Sequence, residues 1–252
     1  MTSDAEAAAD TAAAAVVSWR PDAYDDFAAS YEAENVASLL NAFYARPAMV
    51  DLAGDVDGRR ILDAGCGAGP LTALLRDRGA RMTGLDGSPA MIDLARKRLG
   101  DDVPLHVHDL AQPLPFAADS FDDVVSSLVL HYLEDWDAPL AEIRRVLRPG
   151  GRFILAVNHP FVRTFTHPDE DYFATRQYSD EFDFDGRPAT LTMWHRPVHA
   201  IFNAFTRAGF GIEMVDEPPP SPQTPTELLP PRIASGERTA FLCFLFVVLR
   251  AP

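Results

Sequence analysis

Short apolar runs and helical stripes alternate along most of this chain. From Pro21 the positions Tyr24, Phe27, Tyr31, Leu39, Leu40 and Phe43 recur at helical spacing and predict an amphipathic N-terminal helix, with a second short helix over Pro47–Ala53. After Gly54 the pattern changes to β-type runs taking turns with helical segments. It predicts strands at Arg60–Asp63, Arg81–Asp86, Leu105–Asp109, Phe121–Leu128 and Arg152–Asn158, and helices at Leu71–Arg78, Pro89–Leu99 and Ala138–Leu147. Ser88 followed by Pro89 supplies a helix cap and a first-turn proline. Such alternation implies parallel strands joined by right-handed crossovers. Beyond His159 it stops for nearly forty residues, and a helix resumes over Pro197–Ala208. Two final strands are expected at Gly211–Asp216 and Thr239–Leu249, separated by a segment with seven prolines between Pro218 and Pro231.

These boundaries divide the chain into a tail over residues 1–18 without apolar periodicity, expected to be disordered, and a single domain over 19–252. Within the domain we expect an N-terminal helical lid at 19–54, a core at 55–158, an insertion over the active face at 159–196, and a C-terminal helix and strands at 197–252. A chain of 252 residues suits one α/β domain with additions. Charge narrows the partners: 37 acidic residues against 22 Lys plus Arg leave a net charge of -15, whose average field repels phosphate backbones and anionic lipid. No nucleic-acid or membrane partner is therefore expected. Only Cys66 and Cys243 occur, which is no disulfide framework, and the acidic N-terminus lacks a secretory pattern, so a reduced, cytoplasmic setting is expected. The longest apolar run, Phe241–Leu249, is too short to span a bilayer. A homodimer is compatible with this reading, although no residue argues for one.

The chemistry concentrates at Ile61-Leu62-Asp63-Ala64-Gly65-Cys66-Gly67-Ala68-Gly69-Pro70, a buried strand running into glycines that open a helix. A tight turn of small residues would explain the glycines alone. Three further positions point to a ligand. Asp86 ends the next strand, where a carboxylate can accept from both ribose hydroxyls. Asp109 ends strand three and suits an adenine amino group, and Ser126, Ser127 and Leu128 end strand four beside the glycine loop. All lie at carboxyl ends of parallel strands, where open sheets bind ligands. Pro70 stands where a dinucleotide fingerprint needs its third glycine, and the loop lacks the Gly-Lys-Ser/Thr of a triphosphate site. A ligand with a ribose and no phosphate fits better.

The run from Asp63 to Pro70, Gly84-Leu85-Asp86, His108-Asp109-Leu110 with Pro113-Leu114-Pro115-Phe116, and Leu147-Arg148-Pro149-Gly150-Gly151 resembles the class I S-adenosylmethionine-dependent methyltransferases, in their UbiE-like, type 11 small-molecule branch. More loosely, Asn41 to Pro47 and Arg196-Pro197 are similar to bacterial members of unassigned substrate. The resemblance implies a Rossmann-like, doubly wound α/β fold with a seven-stranded sheet in the order 3-2-1-4-5-7-6, strand seven antiparallel. It implies S-adenosylmethionine as cofactor, with Gly65, Gly67 and Gly69 around the methionine part and Asp63 orienting the loop and reaching the amino group. Asp86 would hold the ribose, with Gly87, Ser88 and Met91 following in the same turn. Asp109 and Leu110 would frame the adenine, Ser127 and Leu128 would lie beside the loop, and Tyr24 and Tyr31 would close over the cofactor as a lid. The two tyrosines also read as plain helical core.

Methyl transfer from a sulfonium is an in-line displacement, so alignment supplies most of the catalysis and a base serves only some acceptors. His131 and His159, just past strands four and five, are the candidate bases. Tyr132, Tyr172, Tyr178, Trp194 and His195 are the candidate acceptor-binding residues, in an aromatic and polar mixture that suits a planar or acidic small molecule. No metal site is expected, because Pro197 lies between His195 and His199 and no third ligand is evident. The expected function is methyl transfer to an O, N or C atom of a small molecule. The rivals are a methyltransferase acting on a macromolecule and a cofactor-binding or scaffold protein without transfer activity. An NAD-dependent oxidoreductase is disfavoured by Pro70.

Overall fold

A computed structural model describes residues 24–184 and 186–252; the expectation for the tail at 1–18 falls outside the described residues. The described residues open with a single turn at Asp25–Phe27 and α1 (Ala28–Asn35). The one N-terminal helix predicted from Pro21 is in fact broken at residues 36–38, and a second helical stretch follows from 39 to 53. Its first part, Asn41–Ala45, is a π-type turn, and α2 is Arg46–Ala53. The break has no Pro or Gly to announce it, and its two halves pack on different neighbours, the first on the 176–195 segment and the second on the main sheet.

Next come β1 (Arg60–Ala64), α3 (Pro70–Asp77), β2 (Arg81–Asp86), α4 (Pro89–Leu99), β3 (Leu105–Val107), β4 (Phe121–Ser127), α5 (Asp137–Val146) and β5 (Leu147–Asn158). The expected cap is present, with Ser88 Oγ accepting the Met91 amide at 3.1 Å. Strand β5 starts earlier than expected. Leu147 pairs with Phe121, and the register then shifts so that Arg152 pairs with Asp123, which places the Pro149-Gly150-Gly151 turn inside the strand as an irregularity.

The chain continues through α6 (Val162–Thr166), β6 (Arg176–Phe184), β7 (Arg187–His195), α7 (Val198–Arg207), β8 (Gly211–Asp216), α8 (Pro231–Ala234) and β9 (Phe244–Arg250). The main sheet has seven strands in the order β3-β2-β1-β4-β5-β9-β8. Strand β9 runs antiparallel to both neighbours. With β8 and β9 as the sixth and seventh strands of the predicted sheet, this is the expected topology. The β6–β7 hairpin is a separate two-stranded sheet, which the expectation of an insertion over 159–196 did not include.

Central strands read as continuous apolar runs because both faces are covered. Along β5, Phe153 and Leu155 point into one core with Trp136, Leu140 and Phe205, while Ile154 and Ala156 point into the other with Tyr44, Met49 and Leu75. The period-two alternation of a strand thus feeds two cores. At the amino end of the sheet the fully buried Asp123 is clamped by Arg59 and Arg152, at 2.5 and 2.8 Å. That carboxylate has two cations and is part of the framework. A small third core joins the hairpin to the N-terminal helix: Phe184, Leu191 and Met193 pack on Tyr24, Phe27 and Tyr31, with Phe27 stacked on Phe184 at 5.4 Å. Among the described residues no helix is long and apolar enough to cross a membrane.

Candidate active site

At the carboxyl end of the sheet the glycine loop leaves β1 with positive φ at Gly65, Gly67 and Gly69. At Gly65 a side chain is excluded twice over: φ is +86°, and a Cβ would lie 2.3 Å from Val129 Cγ2. Gly67 turns its amide to Asp86, whose Oδ2 accepts it at 2.8 Å while Oδ1 accepts the Ser88 amide at 2.9 Å. The loop is therefore tied to the end of β2 through one carboxylate. Burial pushes the Asp86 carboxyl above its ordinary value, and the Ser88 and Gly67 amides pull it partly back.

Asp63 contrasts with Asp123. It is 1% exposed, its recorded partner is the Thr72 hydroxyl at 2.6 Å, and no cation closes a salt bridge with it among the described residues. Burial raises its pKa to about 7. A buried carboxylate without a cation is costly unless a cationic ligand completes it. It shares a small cavity with Arg46, Asn41 and the glycine loop. Arg46 donates to the backbone carbonyl of Asn35 at 2.9 Å, and burial lowers its pKa. An anion and a cation facing one cavity suit a zwitterion such as an amino-acid end group.

A second small cavity, about 100 Å³, is lined by Tyr24, Tyr31, Gly65, Gly67, Asp86, Gly87, Met91, His108, Leu110, Ser127 and Leu128. His108 Nε2 is buried there without a hydrogen-bond partner. An orphaned ring nitrogen beside Leu110 fits a heteroaromatic base bearing its own donors and acceptors. Asp63 with Arg46, Asp86, and the orphaned His108 nitrogen have the chemistry to hold, in turn, an amino-acid end group, a diol and a heteroaromatic base. Leu128 lines both small cavities and adopts φ +62°, a conformation that a non-glycine residue holds only where its surroundings enforce it.

Three expected cofactor residues lie outside these linings. Gly69 caps α3 and is packed against Leu99, Ser88 is the buried cap of α4 with its hydroxyl donated to Asp25, and Asp109 turns Oδ1 to the Ala111 amide at 2.9 Å. Arg46 and His108 were missed. Arg46 lies within the Asn41 to Pro47 segment and His108 just past β3 in His108-Asp109-Leu110, both inside the resembling segments, but the sequence alone assigns neither side chain a place facing a ligand.

Beyond lies a cavity of about 690 Å³, lined by His131, Tyr132, Asn158, His159, Tyr178, Met193, Trp194, His195 and Arg196 among others. Tyr172 stands behind its wall, stacked on Phe161, with its hydroxyl accepting the Val198 amide at 2.9 Å. His195 Nε2 bonds the Tyr172 carbonyl at 2.8 Å. His131 Nδ1 accepts the Asn158 amide at 3.3 Å, which leaves the Nε2 proton as a donor. Burial, helped by Arg196, drives the His131 pKa down to about 3, so the ring is neutral at any physiological pH. His159 has both nitrogens engaged: Nδ1 accepts the Phe161 amide at 3.2 Å, and Nε2 meets Glu217 at 2.7 Å. Burial lowers its pKa, and Glu217 partly restores it. Among the described residues no cluster of three or more metal-binding side chains occurs.

Comparison with known proteins agrees with this geometry. The family model described as a Methyltransferase domain, type 11, matches residues 62–155. The chain is 37% identical over 134 residues to a demethylmenaquinone methyltransferase of Clavibacter sepedonicus, covering 52% of this chain and 55% of that one. It is 47% identical over 95 residues to a malonyl-[acyl-carrier protein] O-methyltransferase of Serratia marcescens, covering 37% and 36%. It thus spans about a third to three fifths of the length of these two relatives and of a second demethylmenaquinone methyltransferase, from Renibacterium salmoninarum. Over nearly a whole solved chain, it matches an S-adenosylmethionine-dependent methyltransferase from Mesorhizobium loti with 30% identity and a TM-score of 0.61, covering 81% of this chain and 96% of that one. The chain belongs to the class I S-adenosylmethionine-dependent methyltransferases, with S-adenosylmethionine as its cofactor.

Proposed function

We propose that this protein transfers a methyl group from S-adenosylmethionine to an O, N or C atom of a small molecule bound in the 690 Å³ cavity. The carrying observation is a shared wall: Tyr24, Tyr31, Leu128 and Tyr132 line both that cavity and the ribose-side one, so the two spaces meet at these four side chains. The larger volume lies in the range of small-molecule sites. A relative named for demethylmenaquinone supports a small acceptor, and one named for malonyl-[acyl-carrier protein] a small group carried on a protein, without choosing between them.

When bound, the cofactor supplies a methyl group on a sulfonium leaving group. The chain's own residues hold and exclude. Asp63 and Arg46 fix the amino-acid end, Asp86 the ribose hydroxyls, and His108 with Leu110 the adenine. Tyr24 and Tyr132, joined hydroxyl to hydroxyl, close the boundary between the two spaces. Catalysis rests on alignment, which contributes much of the barrier reduction in such reactions.

His131 enters as a hydrogen-bond donor, since a ring with a pKa of about 3 is a poor proton acceptor at neutral pH. His131→Gln is expected to lower turnover roughly tenfold, the worth of one neutral hydrogen bond, with the pH–rate profile unchanged in shape between about pH 5 and 8. Disappearance of an ionisation near neutrality in the variant would restore the base.

To test the acceptor class, the protein is incubated with methyl-labelled S-adenosylmethionine and a cell extract split into small-molecule and macromolecular fractions. Label is expected in the small-molecule fraction. Label confined to RNA or protein would favour a macromolecular acceptor, and no transfer at all would favour a scaffold.

A further inference from the structure

Among the described residues, the cavity assigned to the acceptor holds a cation, Arg196, that no salt bridge neutralises. Arg196 follows β7, lines the cavity and is 8% exposed. Its Nη1 is buried without a hydrogen-bond partner, while Nη2 donates to the Glu134 carbonyl oxygen. The guanidinium carbon lies 4.6 Å from the centre of the Trp136 ring. The nearby carboxylates are Glu134 and Asp135, both exposed, and neither closes a salt bridge with Arg196 among the described residues. The other ionic groups in the wall behave differently. Arg163 pairs with Glu170 at 2.8 Å and faces Asp180 at 3.5 Å, and His159 meets Glu217.

A guanidinium taken out of water and left without an anion is an expensive arrangement, which folded proteins keep where a ligand completes it. The side chain is held in place beforehand, by Trp136 on its face and the Glu134 carbonyl on one nitrogen, so binding costs little reordering. The neutral His131 ring lies close enough for the arginine charge to depress its pKa, and it carries the Nε2 donor. Both residues line the same cavity. The planar fork of an arginine matches a carboxylate in two parallel hydrogen bonds.

We propose that Arg196 is the anion-recognition residue of the acceptor site and that the methyl acceptor carries a carboxylate. This rests on the methyl-transfer reading above and names its substrate class.

The test measures binding to the full chain, with and without saturating S-adenosylhomocysteine, of matched pairs: benzoate and benzamide, phenylacetate and phenylacetamide, hexanoate and hexanamide. In at least one pair the carboxylate is expected to bind roughly 100-fold tighter than the amide, the worth of a charge-assisted pair. Arg196→Gln is expected to erase that preference and Arg196→Lys to keep part of it, both with unchanged affinity for S-adenosylhomocysteine. Were Arg196 only a staple for the Trp136 turn, the variants would shift melting without touching the preference. Amides binding as well as carboxylates, a preference that survives in Arg196→Gln, or no carboxylate binding at all would overturn the proposal. Failure of S-adenosylhomocysteine to bind would instead count against the methyl-transfer reading, and the comparison run without it would still decide the role of Arg196.

Discussion

Asp86→Asn is expected to weaken S-adenosylmethionine binding by about 100-fold or more while the chain still folds. A carboxylate accepting from two ribose hydroxyls makes charge-assisted hydrogen bonds of about 1.5–3 kcal/mol each, and the amide forfeits most of both. The substitution also turns an NH2 toward the Gly67 or Ser88 amide, where an acceptor now stands at 2.8 and 2.9 Å, so the glycine loop loosens as well. Folding survives because Asp86 lies at a strand end and burial already raises its pKa, so neutralising it relieves the core. Asp109→Asn is the matching control. Its Oδ1 is spent on the Ala111 amide and its side chain lies outside both small cavities, so it should cost less than tenfold. Equal losses at the two positions, read by calorimetry, would remove the ribose assignment from Asp86.

Asp63→Asn is expected to separate stability from binding: the free protein gains stability above neutral pH and cofactor affinity collapses. The unfolded carboxyl ionises near its ordinary value of 3.8, the folded one near 7. Between those values folding takes up a proton, so the stability of the parent chain falls as pH rises from about 4 to 7 and then levels off. At pH 8 the buried charge costs a few kcal/mol, at about 1.4 kcal/mol per unit of displacement, and asparagine removes that cost while still accepting from Thr72. Denaturant unfolding at pH 5 and 8 would show a pH-dependent gap in the parent that is absent in the variant. Binding of a cationic ligand should expel the proton from Asp63. Affinity in the parent then rises with pH through about 7, with proton release visible as a buffer-dependent heat. A variant that binds as well as the parent would make Asp63 a framework residue like Asp123.

The carboxyl edge of the sheet could be read from the sequence because each part of it repeats a local rule. Apolar runs gave strands, Ser88-Pro89 gave a helix start, and glycines before Pro70 gave a loop that something approaches. Two kinds of feature escaped. The β6–β7 hairpin did leave a signal, because Ala189, Leu191 and Met193 alternate with Thr190 and Thr192 after Asp185-Gly186, a dipeptide that favours a two-residue hairpin turn. It escaped among the loop-like polar and aromatic residues around it. Arg46, His108 and Arg196 escaped for a different reason. His108 and Arg196 owe their meaning to a buried nitrogen without a partner, and Arg46 to sharing a cavity with Asp63, neither of which spacing along a chain records. His131 and His159 were found by position, but their proton chemistry depends on burial and on the Asn158 amide and Glu217.

The most direct test of the cofactor site is calorimetric titration of the purified chain with S-adenosylmethionine, with S-adenosylhomocysteine, and with NAD as control. Micromolar binding of the first two, lost in Asp86→Asn, and no heat from NAD is the predicted result. Binding of NAD, or silence with both sulfur ligands, would contradict it.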